Sequence, residues 1–187
     1  MLLLAAADGQ DPVSIRLAVW LLPATFIVHD SEEILTVPWW IAHNEPALQA
    51  IRTLGPIGNR VVANLPRTTG AVAAAVAVEL LVLVVATAWL TRDPRRGLGL
   101  DIYSALLGLF VGHSVTHVGV AILLRGYTPG VITAVVLIPP MGVYLYKRLL
   151  ESNLVTWRTA IATAAAGMLA FLPAVLAAQY IGRSLAP

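Results

Sequence analysis

Val28-His29-Asp30-Ser31-Glu32-Glu33-Ile34 places one histidine and three acids directly after an apolar run, in a chain that otherwise keeps charge out of its middle. On a helix, His29, Glu32 and Glu33 stand at i, i+3 and i+4 and share a face, while Asp30 points elsewhere. Three ligand-type side chains on one face make half of a metal site. Whether they sit in water or in a bilayer decides the fold class, so the rest of the chain has to supply both the setting and the other half.

The setting follows from composition. The chain has 187 residues, 58% of them hydrophobic and 12% charged, where a soluble domain carries about 25% charged residues. Mean hydropathy is +0.81. These values describe an all-α integral membrane protein. There is no cysteine, which excludes disulfides and thiolate metal sites. A formal charge of +2 without a basic cluster excludes nucleic acid as a partner. The opening Met1-Leu2-Leu3-Leu4-Ala5-Ala6-Ala7-Asp8 lacks a basic leader and a full apolar core, so it does not read as a signal peptide.

A bilayer core takes about 20 apolar residues in a helix. Five candidate spans answer to this, at about residues 14–35, 70–90, 102–124, 130–146 and 160–181, within a single membrane domain covering 1–187. The apolar part of the first, Leu17 to Val28, is too short to cross alone, so either the His-Glu motif lies inside the hydrocarbon layer or the helix is a partial span. Pro139-Pro140 should kink the fourth span, and Pro173 offers a bend in the fifth. The connection from Thr36 to Thr69 carries Trp39-Trp40, a pair suited to the membrane–water interface, and a short interfacial helix is expected over Pro46 to Leu54. Lys and Arg divide seven to five in favour of a cytoplasmic N-terminus, with Arg92, Arg95 and Arg96 among the seven.

Antiparallel spans then place polar residues by depth. At ~1.5 Å rise per residue, His29, Glu32 and Glu33 lie about 21–27 Å along the first span, His113 and His117 about 18 and 24 Å along the third, and Glu79 about 18 Å back along the second. Six ionisable residues from three spans fall in one layer. A charge near the bilayer centre costs on the order of 3 kcal/mol or more and faces a bundle interior with a partner. No span interior holds Lys or Arg, so the acids must be protonated, paired with imidazolium or neutralised by a metal. His113 and His117, at i and i+4, present two imidazoles to one ion. Beside them Ser104, Gly108, Gly112 and Thr116 form a small-residue stripe that lets a neighbouring helix approach closely. Glu79 taken alone reads equally as a structural hydrogen-bond partner, and His43 reads as an exposed or interfacial histidine.

His29-Asp30-Ser31-Glu32-Glu33, a later histidine at 113 or 117, and Tyr127-Thr128-Pro129-Gly130 occur in the order seen in the HXXEE-domain family of prokaryotic membrane proteins, which the chain resembles over most of its length. The resemblance implies a suspected enzymatic activity and brings no substrate. Tyr127-Thr128-Pro129-Gly130 also reads physically as a tight turn between the third and fourth spans, which would leave Tyr127 at the mouth of the site as a substrate or proton-transfer contact.

Oxygen and nitrogen ligands without sulfur suit zinc, iron or manganese, in one or two ions. The expected metal ligands are His29, Glu32, Glu33, Glu79, His113 and His117, with Glu33, Glu79 and Tyr127 as catalytic candidates. The leading expectation is a metal-dependent membrane enzyme acting on a lipid or other apolar substrate, by hydrolytic chemistry or di-metal oxidative chemistry. The alternatives are an ion- or proton-coupled transport protein using the same residues and a structural partner whose polar cluster only joins helices.

Overall fold

The computed structural model describes residues 12–94 and 97–186, in which all regular structure is helical and no strand occurs. The N-terminal stretch read as lacking a signal peptide, and Arg95 and Arg96 of the charge count, lie outside these residues. In chain order the helices are α1 (Pro12–Ala18), α2 (Leu21–His43), α3 (Glu45–Arg52), α4 (Pro56–Asn64), α5 (Thr69–Arg92), α6 (Leu98–Leu124), α7 (Val131–Val136), α8 (Ile138–Glu151) and α9 (Trp157–Leu185).

Among the described residues, four segments are long and apolar enough to cross a membrane: Thr69–Arg92, Leu98–Leu124, Val131–Glu151 and Trp157–Leu185. Four of the five expected spans are among them, and the first is not. α2 is long enough, with 23 residues, but Asp30, Glu32 and Glu33 fall in its middle and lower its apolar character below that of the other four. Its ends also differ from expectation. Pro23 has no N–H to give the carbonyl four residues back, Val19, and the helix is interrupted at Val19–Trp20. The freed Val19 carbonyl accepts the buried Tyr103 hydroxyl at 2.9 Å. At the other end α2 runs on past Leu35, through Pro38, to His43.

The remaining helix limits have local causes. Thr68 caps α5 by accepting the Ala71 N–H at 3.1 Å, and Thr156 caps α9 by accepting the Thr159 N–H at 3.2 Å. The fourth span breaks between α7 and α8 at Leu137, immediately before Ile138-Pro139-Pro140, because both prolines withhold a donor from the preceding turn. α9 is continuous through Pro173.

α6 and α9 make the most extensive helix pair, and α5 packs on both α9 and α2. The small-residue stripe of α6 lies in the α6–α9 interface. A methyl group added at Gly108 would fall 2.4 Å from the Ala164 Cα, and Ser104 and Thr163 share a hydrogen bond of 2.7 Å. α9 answers with Gly167, where a methyl group would meet the Ala105 carbonyl oxygen at 2.1 Å. Outward faces carry Leu81, Val85, Val115, Ile122, Ile161 and Leu169, all more than half exposed, as suits lipid contact. Inside, one apolar cluster gathers Leu22 and Phe26 with Leu83, Tyr103, Phe110 and Ile138. A second joins Trp40 and Ile41 to Leu48 and Val62. Along α2 the polar motif lies between these two cores.

Candidate metal centre

His29 is fully buried, and Asp30 beside it is 4% exposed. The helical period sends the two in different directions. His29 and Glu33, one turn apart on α2, face His113 and His117, one turn apart on α6. One ligand atom from each of the four lies within 4.8 Å of every other. His113 Nε2 and His117 Nε2 are 2.7 Å apart, and His117 Nε2 is 3.2 Å from Glu33 Oε1. An ion bound at 2.0–2.2 Å by four tetrahedral donors requires them about 3.3–3.6 Å apart. The 3.2 Å separation lies just below that spacing and the 2.7 Å one well below it, so the four could hold one divalent cation once His113 and His117 move apart.

The shell around His29 determines which of its nitrogens carries the proton. Thr133 Oγ1 donates to Glu32 Oε2 at 2.6 Å, and a hydroxyl has one proton to give. The 2.8 Å contact between His29 Nδ1 and Thr133 Oγ1 must therefore be an Nδ1–H donated to the hydroxyl oxygen. Nε2 is then the bare nitrogen. It is buried and has no hydrogen-bond partner among the described residues. A hydrogen-bonded Nδ1–H with a free Nε2 is the arrangement of an imidazole oriented for a metal from its outer side. Phe110 meets the His29 ring edge-on at 5.6 Å and Phe171 lies 5.1 Å from His113, so the walls beside the imidazoles are apolar.

Glu32 does not join the four. Its carboxylate accepts Tyr127 OH at 2.9 Å, Thr133 N at 2.9 Å, Thr133 Oγ1 at 2.6 Å and, at 3.4 Å, Ile132 N. Glu32 thus caps the first turn of α7, where free N–H groups favour an anion. Burial raises the affinity of the Tyr127 phenol for its proton, and the hydrogen bond to Glu32 acts in the same direction, against an opposing contribution from Thr36. Glu79 also lies outside the four. It lines a neighbouring cavity together with Asp30, Glu33 and His113. His43 stacks on Trp39 at 4.9 Å, away from the site.

Tyr127-Thr128-Pro129-Gly130 forms the expected turn. The Thr128 carbonyl accepts the Val131 N–H at 3.1 Å, and Gly130 has φ 80 and ψ −11, the second corner of a type II turn after Pro129. The turn also touches the site. A methyl group on Gly130 would sit 2.6 Å from His117 Cε1 and 3.0 Å from both Glu33 Oε1 and His29 Cε1. Trp40 Nε1 holds the turn from the far side by donating to the Tyr127 carbonyl at 2.9 Å.

Sequence reasoning missed Thr133, the residue that links His29 to Glu32. One hydroxyl six residues beyond Tyr127 carries no motif, and only the fold of α7 against α2 brings it in. It also missed Asp30 as a cavity residue, although an acid in the middle of an apolar helix was signal enough to ask what lies on that side.

Among known families, the one described as "Protein of unknown function with HXXEE motif" matches residues 20–145. No curated protein matches, and no solved structure matches.

Proposed function

The chain belongs to the HXXEE-motif family, and on that footing we propose that it is a metal-dependent multi-pass membrane enzyme acting on a lipid or other apolar substrate. His29, His113, His117 and Glu33 would hold one divalent ion, zinc or iron by donor type. Such an ion supplies Lewis-acid polarisation of a substrate oxygen or activation of water. Around it, Thr133 orients His29, Glu32 anchors Thr133 and Tyr127 over the start of α7, and Gly130 keeps the turn close without intruding. Tyr127, 40% exposed, is available to a substrate at the mouth. Glu79 is available as a base from the cavity side.

The observation that carries this reading is His29 Nε2, a buried imidazole nitrogen left bare by the hydrogen bond on its other side and facing two more imidazoles and a carboxylate. A polar network for helix association alone would leave that nitrogen without a partner, which is unfavourable in a buried site. The test is metal analysis of protein purified without chelator, with the His29→Ala variant alongside. About one ion per wild-type chain and loss of it in the variant are expected. Wild-type protein without stoichiometric metal would sink the proposal.

We also read α2 as a fifth membrane-embedded helix in a prokaryotic cell membrane, with the N-terminus cytoplasmic and α3–α4 at the interface. Ile27, Val28 and Leu35 on the outer side of α2 are about half exposed or more, which supports immersion. Glu45 and Arg52 of α3 pair at 2.9 Å on an exposed face, which suits water contact. The break at Leu137 beside the site favours a second reading, ion- or proton-coupled transport, because interrupted helices line transport sites. Flux in sealed vesicles without turnover in detergent would select it.

A further inference from the structure

Asp30, on the motif's other face, belongs to a second feature. Asp30, Glu33, Glu79 and His113 form one side of a cavity of about 310 Å³ between α2, α5, α6 and α9, at the small end of ligand sites. Apart from the Gln179 amide, the rest of the lining is apolar, with Phe171 and Val175 of α9 among it, and contains no Lys or Arg. Val82 and Ile181 also line it and are 51% and 39% exposed, so the cavity reaches the outward, lipid-facing side of the bundle.

Its polar side is not self-satisfied. Asp30 is 4% exposed, and its Oδ2 has no hydrogen-bond partner among the described residues. Glu33 is engaged by His117. Glu79 has no cation beside it in the lining. A carboxylate in apolar surroundings needs a positive charge or a proton with good hydrogen bonds. A second metal ion is a poor fit, because the convergent donor group is His29, Glu33, His113 and His117, and neither Asp30 nor Glu79 belongs to it. An anionic head group would be repelled. A neutral alcohol would satisfy one oxygen and leave the second acid without a partner.

We propose that this cavity binds an amphiphile with an apolar chain and a cationic amine head, received by Asp30 and Glu79 and entering from the lipid-facing side. This names the substrate class of the metal site. It rests on the enzyme reading only in treating the ligand as substrate, since binding itself needs no metal. Glu33 and His113 line the cavity and also belong to the four-ligand group, so a head group held by Asp30 and Glu79 lies beside the candidate metal.

The experiment is equilibrium binding to full-length protein in nanodiscs of zwitterionic lipid, with metal content measured on the same samples. Dodecylamine, dodecanol and dodecanoate serve as probes. Dodecylamine is expected to bind saturably, about tenfold or more tighter than the other two. Glu79→Gln and Asp30→Asn are each expected to reduce that preference by about tenfold while leaving dodecanol binding unchanged. Equal binding of the three probes, no saturable amine binding by the wild type, or an unaltered preference in Glu79→Gln overturns the proposal. If Asp30→Asn does not fold, the wild-type probe series and Glu79→Gln decide it. Amine selectivity in protein that holds no metal would support this site while ending the metal reading, and stoichiometric metal without amine selectivity would do the reverse.

Discussion

Glu33 stands on the border of two polar regions that differ in almost every respect. On one side is the imidazole cluster, with three histidines and a carboxylate within 4.8 Å of one another and a hydrogen-bonded shell that orients them. On the other is the cavity, where Asp30 and Glu79 line an apolar space and Asp30 Oδ2 has no hydrogen-bond partner among the described residues. Convergent nitrogen-rich donors with fixed orientation suit a small ion. Separated carboxylates around an open apolar volume suit a molecule with a charged end. Charge alone therefore does not distinguish an ion site from a ligand site inside a membrane bundle. Convergence and outer hydrogen bonding do.

The strongest way to break this comparison is to remove a donor from one side only. His113→Ala should lower metal affinity by more than the about 10–100-fold that follows loss of an outer hydrogen-bond partner, while Glu79→Gln should leave metal content unchanged. Metal titration of the two variants measures both. Equal losses would mean that the two regions form one site.

Gly130→Ala comes next. Its left-handed backbone costs an alanine about 1–2 kcal/mol, and the new methyl would press on His117 at 2.6 Å. Gly55 separates these effects, since it has φ 87 but nothing within 4 Å of an added methyl. Thermal unfolding should show a backbone penalty in both variants, the larger at Gly55, whose ψ of −152 lies in a region that glycine almost alone adopts. Only Gly130→Ala should also weaken metal binding. If Gly55→Ala does so too, the turn's contact with the cluster has no functional weight.

How much of this was legible beforehand follows from helical geometry. Spacing of i and i+4 pairs His29 with Glu33 and His113 with His117 on their own helices, and depth counting sets the two helices side by side. The same spacing misleads for Glu32. At i+3 it lies on the opposite flank of the His29 direction from Glu33, about 100° away around the axis, and α7 receives it there. Asp30 was set apart from the motif for a sound reason, but a period says only which way a side chain points and not what waits on that side. The first span was misjudged through Pro23, whose effect falls four residues upstream at Val19. The first of the five expected spans does not stand out by apolar character as the other four do, because α2 carries three acids in its middle.

Thr133 tests the orienting shell itself. Thr133→Val removes the hydroxyl that accepts from His29 Nδ1 and donates to Glu32, and metal affinity should fall about 10–100-fold. Thr133→Ser should restore it. Rescue by serine matters more than the size of the loss, because a packing defect at α7 would not be repaired by a smaller side chain.

The smallest expected effect is at Tyr127. Tyr127→Phe deletes one of the four hydrogen bonds to Glu32, and the donors from Thr133 and Ile132 remain. The Glu32 carboxylate is therefore left partly satisfied. The penalty should be that of a single partly exposed hydrogen bond, about 0.5–1.5 kcal/mol in stability. Metal affinity should stay within about twofold of wild type, because Tyr127 reaches His29 only through Glu32 and Thr133, and a perturbation passed through outer partners weakens at each step. A larger fall in metal affinity would mean that Tyr127 supports the cluster directly. Unchanged metal content with lost turnover, once a substrate is in hand, would instead make the phenol a substrate contact at the mouth of the site.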